Sequence, residues 1–133
     1  MNEDRYNERA DVARRILELS ETIDVAIGHM VLKIGSFNDD MGVCAGMLKG
    51  IGEGLISLDN AASSITGPMG VEPGDIERLA IIFDGLCEEL DIMADACLEG
   101  RAADLPSLVK AFHESFKSYS GELALCFKNS AVM

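Results

Sequence analysis

Apolar side chains recur every seven residues at Ile16, Ile23, Met30, Phe37, Cys44, Ile51, Leu58 and Ile65. A second series runs three residues earlier in each repeat, through Ala13, Ile27, Ile34, Met41, Leu48, Leu55 and Ala62, with Ser20 as its polar member. Together they form the a/d seam of a heptad repeat, the pattern of helices that bury one stripe against neighbouring helices. Downstream, Ile76, Leu79, Phe83, Leu86, Leu90, Met93 and Cys97 keep the same helical spacing. So do Leu105, Val109, Phe112, Phe116, Tyr119, Leu123 and Cys126. The expected fold class is therefore all-α.

Two segments interrupt the pattern. Thr66-Gly67-Pro68-Met69-Gly70-Val71-Glu72-Pro73-Gly74 holds three glycines and two prolines, which no helix crosses. In Glu99-Gly100-Arg101-Ala102-Ala103-Asp104-Leu105-Pro106, Gly100 suits the position after a helix end. Asp104 suits an N-cap, with Pro106 in the first turn of the next helix. The stretch Ser36-Phe37-Asn38-Asp39-Asp40-Met41-Gly42 contains five turn-forming residues in seven. A turn there gives four helices of similar length, at about 8–36, 40–66, 75–99 and 104–129, joined by short loops. That arrangement predicts an antiparallel up-down-up-down four-helix bundle as a single domain over residues 1–133. The heptad, however, passes through residues 36–42 in phase. The alternative is one helix of nearly 60 residues, about 85–90 Å long at 1.5 Å per residue, with two shorter helices. Such a seam needs a second chain to cover it, as in a coiled-coil dimer.

Composition agrees with a bundle core of aliphatic side chains and Met: 48% of the residues are hydrophobic, 5% are aromatic and none is Trp. The chain carries 11 basic and 23 acidic side chains, a net charge of −12. Such a surface repels phosphate backbones and anionic lipid, so nucleic acid and membrane surfaces are not expected partners. No uncharged apolar run of about 18 residues exists to insert in a bilayer. The charged start Met1-Asn2-Glu3-Asp4-Arg5 lacks the apolar run of a signal peptide. The four cysteines, at 44, 87, 97 and 126, show no C-x-x-C spacing. Three fall on seam positions and Cys87 flanks one, so they read as reduced, buried small hydrophobes in a cytoplasmic protein, with a metal or redox role as the alternative.

Glycines crowd residues 42–54, at 42, 46, 50, 52 and 54. An interior glycine costs about 1 kcal/mol relative to alanine, so this helix gives up about 4–5 kcal/mol of intrinsic propensity. One reading is a poor helix whose packing tolerates glycine. The other is close backbone approach, in which small-xxx-small spacing lets a neighbouring helix come nearer than side chains allow. Lys33, Asp39, Asp40, Lys49, Glu53 and Asp59 make that neighbour a protein rather than a lipid bilayer. The stripe Gly42, Gly46, Gly50 and Gly54, mostly off the seam, is thus a candidate interaction face for self-association or a docking groove. Gly28, Gly35 and Gly42 add a seven-residue series just after seam residues.

Chemistry-bearing motifs are scarce. Neither His29, preceded three positions earlier by Ala26, nor His113, preceded by Lys110, completes the Glu-x-x-His pairs of di-iron bundles. There is no C-x-x-C-H haem site, H-E-x-x-H, G-x-S-x-G or Walker loop. Gly50-Ile51-Gly52-Glu53-Gly54 lies in a helical pattern with no strand ahead of it, which is not a nucleotide-binding context. A haem held by Met30 or Met41 and His113 is conceivable but has no supporting motif, so no cofactor, metal or catalytic residue is assigned. Asp84, Glu88, Asp91 and Asp95 line one outward stripe of the third helix at steps of 4, 3 and 4. This acidic stripe is a solvated face, with docking of a basic partner or weak divalent-cation binding as the functional alternative. Charges of alternating sign near the N-terminus, from Glu3 to Arg15, solubilise the first helix by pairing.

His29 sits one position before core Met30, on the outer face, with Lys33 one turn later where its charge could stabilise a phosphate on the imidazole. An exposed histidine beside a lysine on a four-helix bundle resembles histidine-containing phosphotransfer domains, whose motif reads H-x-L-K-G. Here His29-Met30-Val31-Leu32-Lys33-Ile34-Gly35 places the lysine at +4 and the glycine at +6. The hairpin from Leu86-Cys87-Glu88-Glu89-Leu90 through Glu99-Gly100-Arg101 to Ala111-Phe112 also looks like the last two helices of that family, with an extra helix between it and His29. The resemblance implies phosphotransfer at His29 with Lys33 as its electrostatic partner. The long heptad with scattered Gly, Ser and Ala is similar in composition to chemoreceptor and sensor-kinase coiled coils. The expectation is a non-enzymatic interaction or regulatory protein acting through self-association or a helical protein partner, with phosphotransfer as the alternative and a cofactor- or ligand-binding bundle behind both.

Overall fold

A computed structural model describes residues 2–33, 41–67 and 70–128, with side chains described from Glu8 onward apart from Arg9 and Met41. They form α1 (Asn2–Lys33), α2 (Met41–Thr66), α3 (Pro73–Leu98), a single 3-10 turn (Ala102–Asp104) and α4 (Leu105–Lys128), with no strand among the described residues. α1 begins earlier than the expected residue 8, since residues 2–7 contain neither glycine nor proline to stop it. α1 packs against α2 and α4, and α3 packs against the same two helices. Because α1 lies alongside α2, the heptad folds back on itself and the nearly 60-residue rod is excluded. The expected turn at 36–42 falls largely on residues 34–40, outside the described residues.

Cross-helix pairs fix the directions. Cys44 faces Cys97 while Gly52 faces Leu90, so α2 and α3 run antiparallel. Arg78 reaches Glu122 while Ser115 reaches Glu89, so α3 and α4 do too. The result is the up-down-up-down four-helix bundle. At the end of α3, Arg101 N–H donates to Ala96 O at 2.8 Å and Gly100 N–H to Cys97 O at 3.3 Å. Those two bonds form a Schellman closure, which needs a left-handed residue; Gly100 supplies it at φ 70°. The same pair of bonds recurs after α2, where Val71 and Gly70 donate to Thr66 and Gly67 and Gly70 takes φ 76°. Pro73 opens α3, where its missing N–H costs nothing. Asp104 stands immediately before α4 as expected, but its carboxylate takes Arg101 Nη1 at 3.3 Å.

Every described seam position from Ala13 to Ala62 is buried, Ser20 included. At the end of α2 the seam rotates: Ile65 is half-buried and Thr66 is buried in its place. A straight helix drifts about 20° per heptad against a strict seven-residue repeat, which accounts for the shift. α3 buries Leu79, Leu86, Met93, Ala96 and Cys97, whereas Ile76, Phe83 and Leu90 are half-buried. α4 has the widest buried face, with Leu105, Val109, Phe112, Phe116, Tyr119, Leu123, Cys126 and Phe127 all inside. Tyr119 is the hub of the aromatic packing, with Phe83 at 6.0 Å and Phe116 at 6.4 Å between ring centroids. Both tilted contacts lie in the range where aromatic pairs attract beyond simple burial.

Candidate interaction surfaces

The glycines of α2 divide into two sets. Gly52 is half-buried against α3, where an added Cβ would stand 2.9 Å from a Leu90 methyl. Gly54 faces α1, with an added Cβ 3.4 Å from Ile23. Gly52 is the position that lets a neighbouring helix approach, whereas a methyl at Gly54 would make an ordinary contact with α1. Gly46 and Gly50 are exposed, and a Cβ on either would meet nothing within 4 Å. Gly42 is exposed as well. Gly28 lies against α4, where its added Cβ would touch His113 at 3.6 Å; Gly35 is outside the described residues.

Gly50 and Gly54 belong to a groove of about 410 Å³ between α1 and α2. Its α1 wall is Leu19, Thr22, Ile23 and Ala26; its α2 wall adds Met47 and Ile51. Thr22 is the one side chain there with a hydrogen-bonding group, and its hydroxyl donates to Glu18 O within α1. An apolar groove floored by glycine accepts a helix or an aliphatic side chain rather than a charged ligand. His29 and Lys33 are both exposed, and with Thr22 and Ala26 they continue one stripe of α1 at steps of 4, 3 and 4. The second histidine is different. His113 is half-buried on α4, with Nε2 2.9 Å from Asp24 Oδ1 on α1.

On α3, Asp84, Glu88, Asp91 and Asp95 are all exposed, with exposed Ile81 and Ile92 on the same helix. The stripe affects its neighbours electrostatically. Burial raises the Cys87 thiol pKa, and Asp84, Asp91 and Asp59 raise it further. Asp59 accepts a hydrogen bond from the Tyr119 hydroxyl at 3.1 Å. Burial raises the Asp59 carboxyl, the Tyr119 bond opposes that rise and Asp84 adds to it. Burial also raises Tyr119, with Asp59 reinforcing the effect. Among the described residues, no group of three or more His, Cys, Asp and Glu side chains is placed to hold a metal ion. No described helix is long and apolar enough to cross a membrane.

Three cross-helix pairs escape a reading of the sequence: Asp59 with Tyr119, Asp24 with His113, and Cys44 with Cys97. Each joins residues at least 53 positions apart, and no local motif marks them. The chain matches no known family profile, no curated protein and no solved structure.

Proposed function

We propose that this chain is a non-enzymatic, single-domain bundle protein of the cytoplasm that works by association, with a second copy of itself or with a helical protein partner. The face it uses is the open side of α1 and α2, centred on Gly42, Gly46 and Gly50 with Gly54 at its inner edge. One observation carries the reading. Gly46 and Gly50 each weaken α2 by about 1 kcal/mol relative to alanine, yet a Cβ at either would touch nothing in the fold. Gly52 has internal packing to explain it; Gly46 and Gly50 do not. The adjoining apolar groove supports the same reading, since a partner helix would bury it. The acidic stripe of α3 is a second surface, suited to a basic partner.

The test is the double variant Gly46→Leu, Gly50→Leu, followed by static light scattering and circular dichroism. Two isobutyl groups on the open face should lower the oligomer mass toward the 14.3 kDa of one chain while helicity stays. A mass unaffected by the substitutions argues against this face. A wild-type mass of one chain at the highest soluble concentration excludes self-association and leaves the heterotypic partner.

A second reading rests on the exposure of His29 with Lys33 one turn away on the same face. Phosphotransfer requires an accessible imidazole, and His29 meets that condition better than His113, which is held against Asp24. Incubation with acetyl phosphate should then give an acid-labile label that His29→Gln removes. An unlabelled wild-type chain discards this reading.

A further inference from the structure

Two thiols meet inside the bundle. Cys44, in the first turn of α2, and Cys97, near the end of α3, are buried, at 0% and 7% exposure. The Cys97 thiol donates to Cys44 Sγ at 3.5 Å. Cys87 is half-buried and Cys126 lies elsewhere in the core; all four are free thiols. Burial pushes the Cys44 thiol up to about 12, and the hydrogen bond and charge of Cys97 act in the same direction. Cys44 therefore stays a neutral thiol at ordinary pH, with its sulfur in van der Waals contact with that of Cys97.

We infer that Cys44 and Cys97 are an oxidisable pair that a small hydroperoxide converts to a disulfide joining α2 to α3. A disulfide needs its sulfurs about 2.05 Å apart. Closing the gap from 3.5 Å asks for side-chain rotation and a slight shift of two helix ends, one at the first turn of α2 and the other at the last turn of α3. Helix ends fray and shift more readily than their middles. Small size of the oxidant matters, because 7% exposure at Cys97 admits hydrogen peroxide more easily than a peptide disulfide.

The steps balance. The Cys97 thiol gives up its proton, and the thiolate displaces hydroxide from hydrogen peroxide to form a sulfenic acid. The Cys44 sulfur then attacks Cys97 Sγ, the S–O bond breaks, and water leaves with the Cys44 proton. Overall two thiols are oxidised by two electrons, and one peroxide becomes two waters. The product closes a loop of more than fifty residues that spans the inter-helix segment 67–72. By restricting the unfolded chain it should raise Tm by about 10 °C. It would also hold the glycine-rich helix to its neighbour.

The full reduced chain, treated with hydrogen peroxide, unfolded under an alkylating agent and digested, should yield a linked peptide carrying Cys44 and Cys97. The intact mass should fall by two hydrogens, and the gain in Tm should vanish on adding dithiothreitol. The gain should survive Cys87→Ser and be absent from Cys97→Ser. The wild-type peptide map stands even where Cys97→Ser folds poorly. Recovery of Cys44 and Cys97 as alkylated thiols while Cys87 is oxidised overturns the inference. So does a sulfinic acid at Cys97 without the linked peptide.

Discussion

Replacing the glycines of α2 one at a time by alanine should separate those the fold uses from those it does not. An interior Gly→Ala change contributes about 1 kcal/mol of helix propensity when the new methyl meets no obstacle. Gly46 and Gly50 offer that condition, with nothing within 4 Å of the added Cβ. Unfolding entropy of about 2.1 cal/mol/K per residue converts 1 kcal/mol to about 4 °C for a chain of 133 residues. Gly46→Ala and Gly50→Ala should each raise Tm by about 4 °C, and the pair by about 7 °C. Gly54→Ala should gain slightly less, because its methyl comes to 3.4 Å from Ile23. At Gly52 the methyl would sit 2.9 Å from Leu90 Cδ2, inside the contact distance of two carbons near 3.5–4.0 Å. Leu90 must rotate or shift, at a cost of about 1–2 kcal/mol that cancels or exceeds the propensity gain.

The assay is thermal and urea unfolding followed by circular dichroism at high dilution, so that self-association does not contribute. The expected order is Gly46→Ala and Gly50→Ala highest, Gly54→Ala next, and Gly52→Ala at or below wild type. A fall in Tm for Gly46→Ala or Gly50→Ala at high dilution would refute the reasoning, since it would mean that a neighbour occupies their open side. The same variants at high concentration probe the other half of the argument. If a second chain rests on that face, stability gained by the isolated chain should come with weaker association.

Asp59 gives a pH-dependent prediction. Its carboxyl lies above the ordinary value of 3.8, chiefly through burial, so the folded chain binds that proton more tightly than the unfolded chain. Its contribution to stability is present below 3.8 and is lost as pH rises through the raised value. Asp59→Asn should remove this loss, so the stability difference between variant and wild type should grow in the variant's favour across that window in urea melts. A constant difference would refute the assignment. In the core, Phe116→Ala empties a fully buried site and should cost about 4 kcal/mol, a Tm decrease of about 15 °C. Leu125→Ala, at a residue 51% exposed, should shift Tm by less than about 2 °C.

The bundle was legible because burial in a helix depends on angular position, which the sequence spells out directly. The seam from Ala13 to Ala62 and the Gly100 closure follow from local spacing or local backbone needs, whereas Pro73, read as part of the break, in fact opens α3. The half-buried Phe83 and Leu90 show where that logic stops. Both sit on the seam of α3, but α4 covers more of the core with Phe112, Phe116 and Tyr119 and leaves α3 less to bury. Contacts between side chains on different helices depend on axial register as well as angle. Register is set by how the connections place one helix end against the next, so Cys44 with Cys97 and Asp59 with Tyr119 had no signature along the chain.

The glycine stripe shows how angle and register combine. Residues four apart on a helix turn through about 400°, so each step advances the position by about 40°. Gly42, Gly46, Gly50 and Gly54 thus sweep about 120° around α2 rather than marking one line. The structure places the far end of that sweep against Ile23 of α1 and leaves the preceding positions facing outward. A sequence pattern of four equally spaced glycines accordingly contains two different roles. Gly54 faces α1 at contact distance, and Gly46 and Gly50 leave backbone exposed beside an apolar groove. A partner helix that follows those outward glycines would cross α2 obliquely, because the open strip itself winds around the helix. Its deepest contact would fall where Gly50 meets the wall formed by Ala26 and Met47, and a bulky side chain at Gly50 should obstruct it more than one at Gly42.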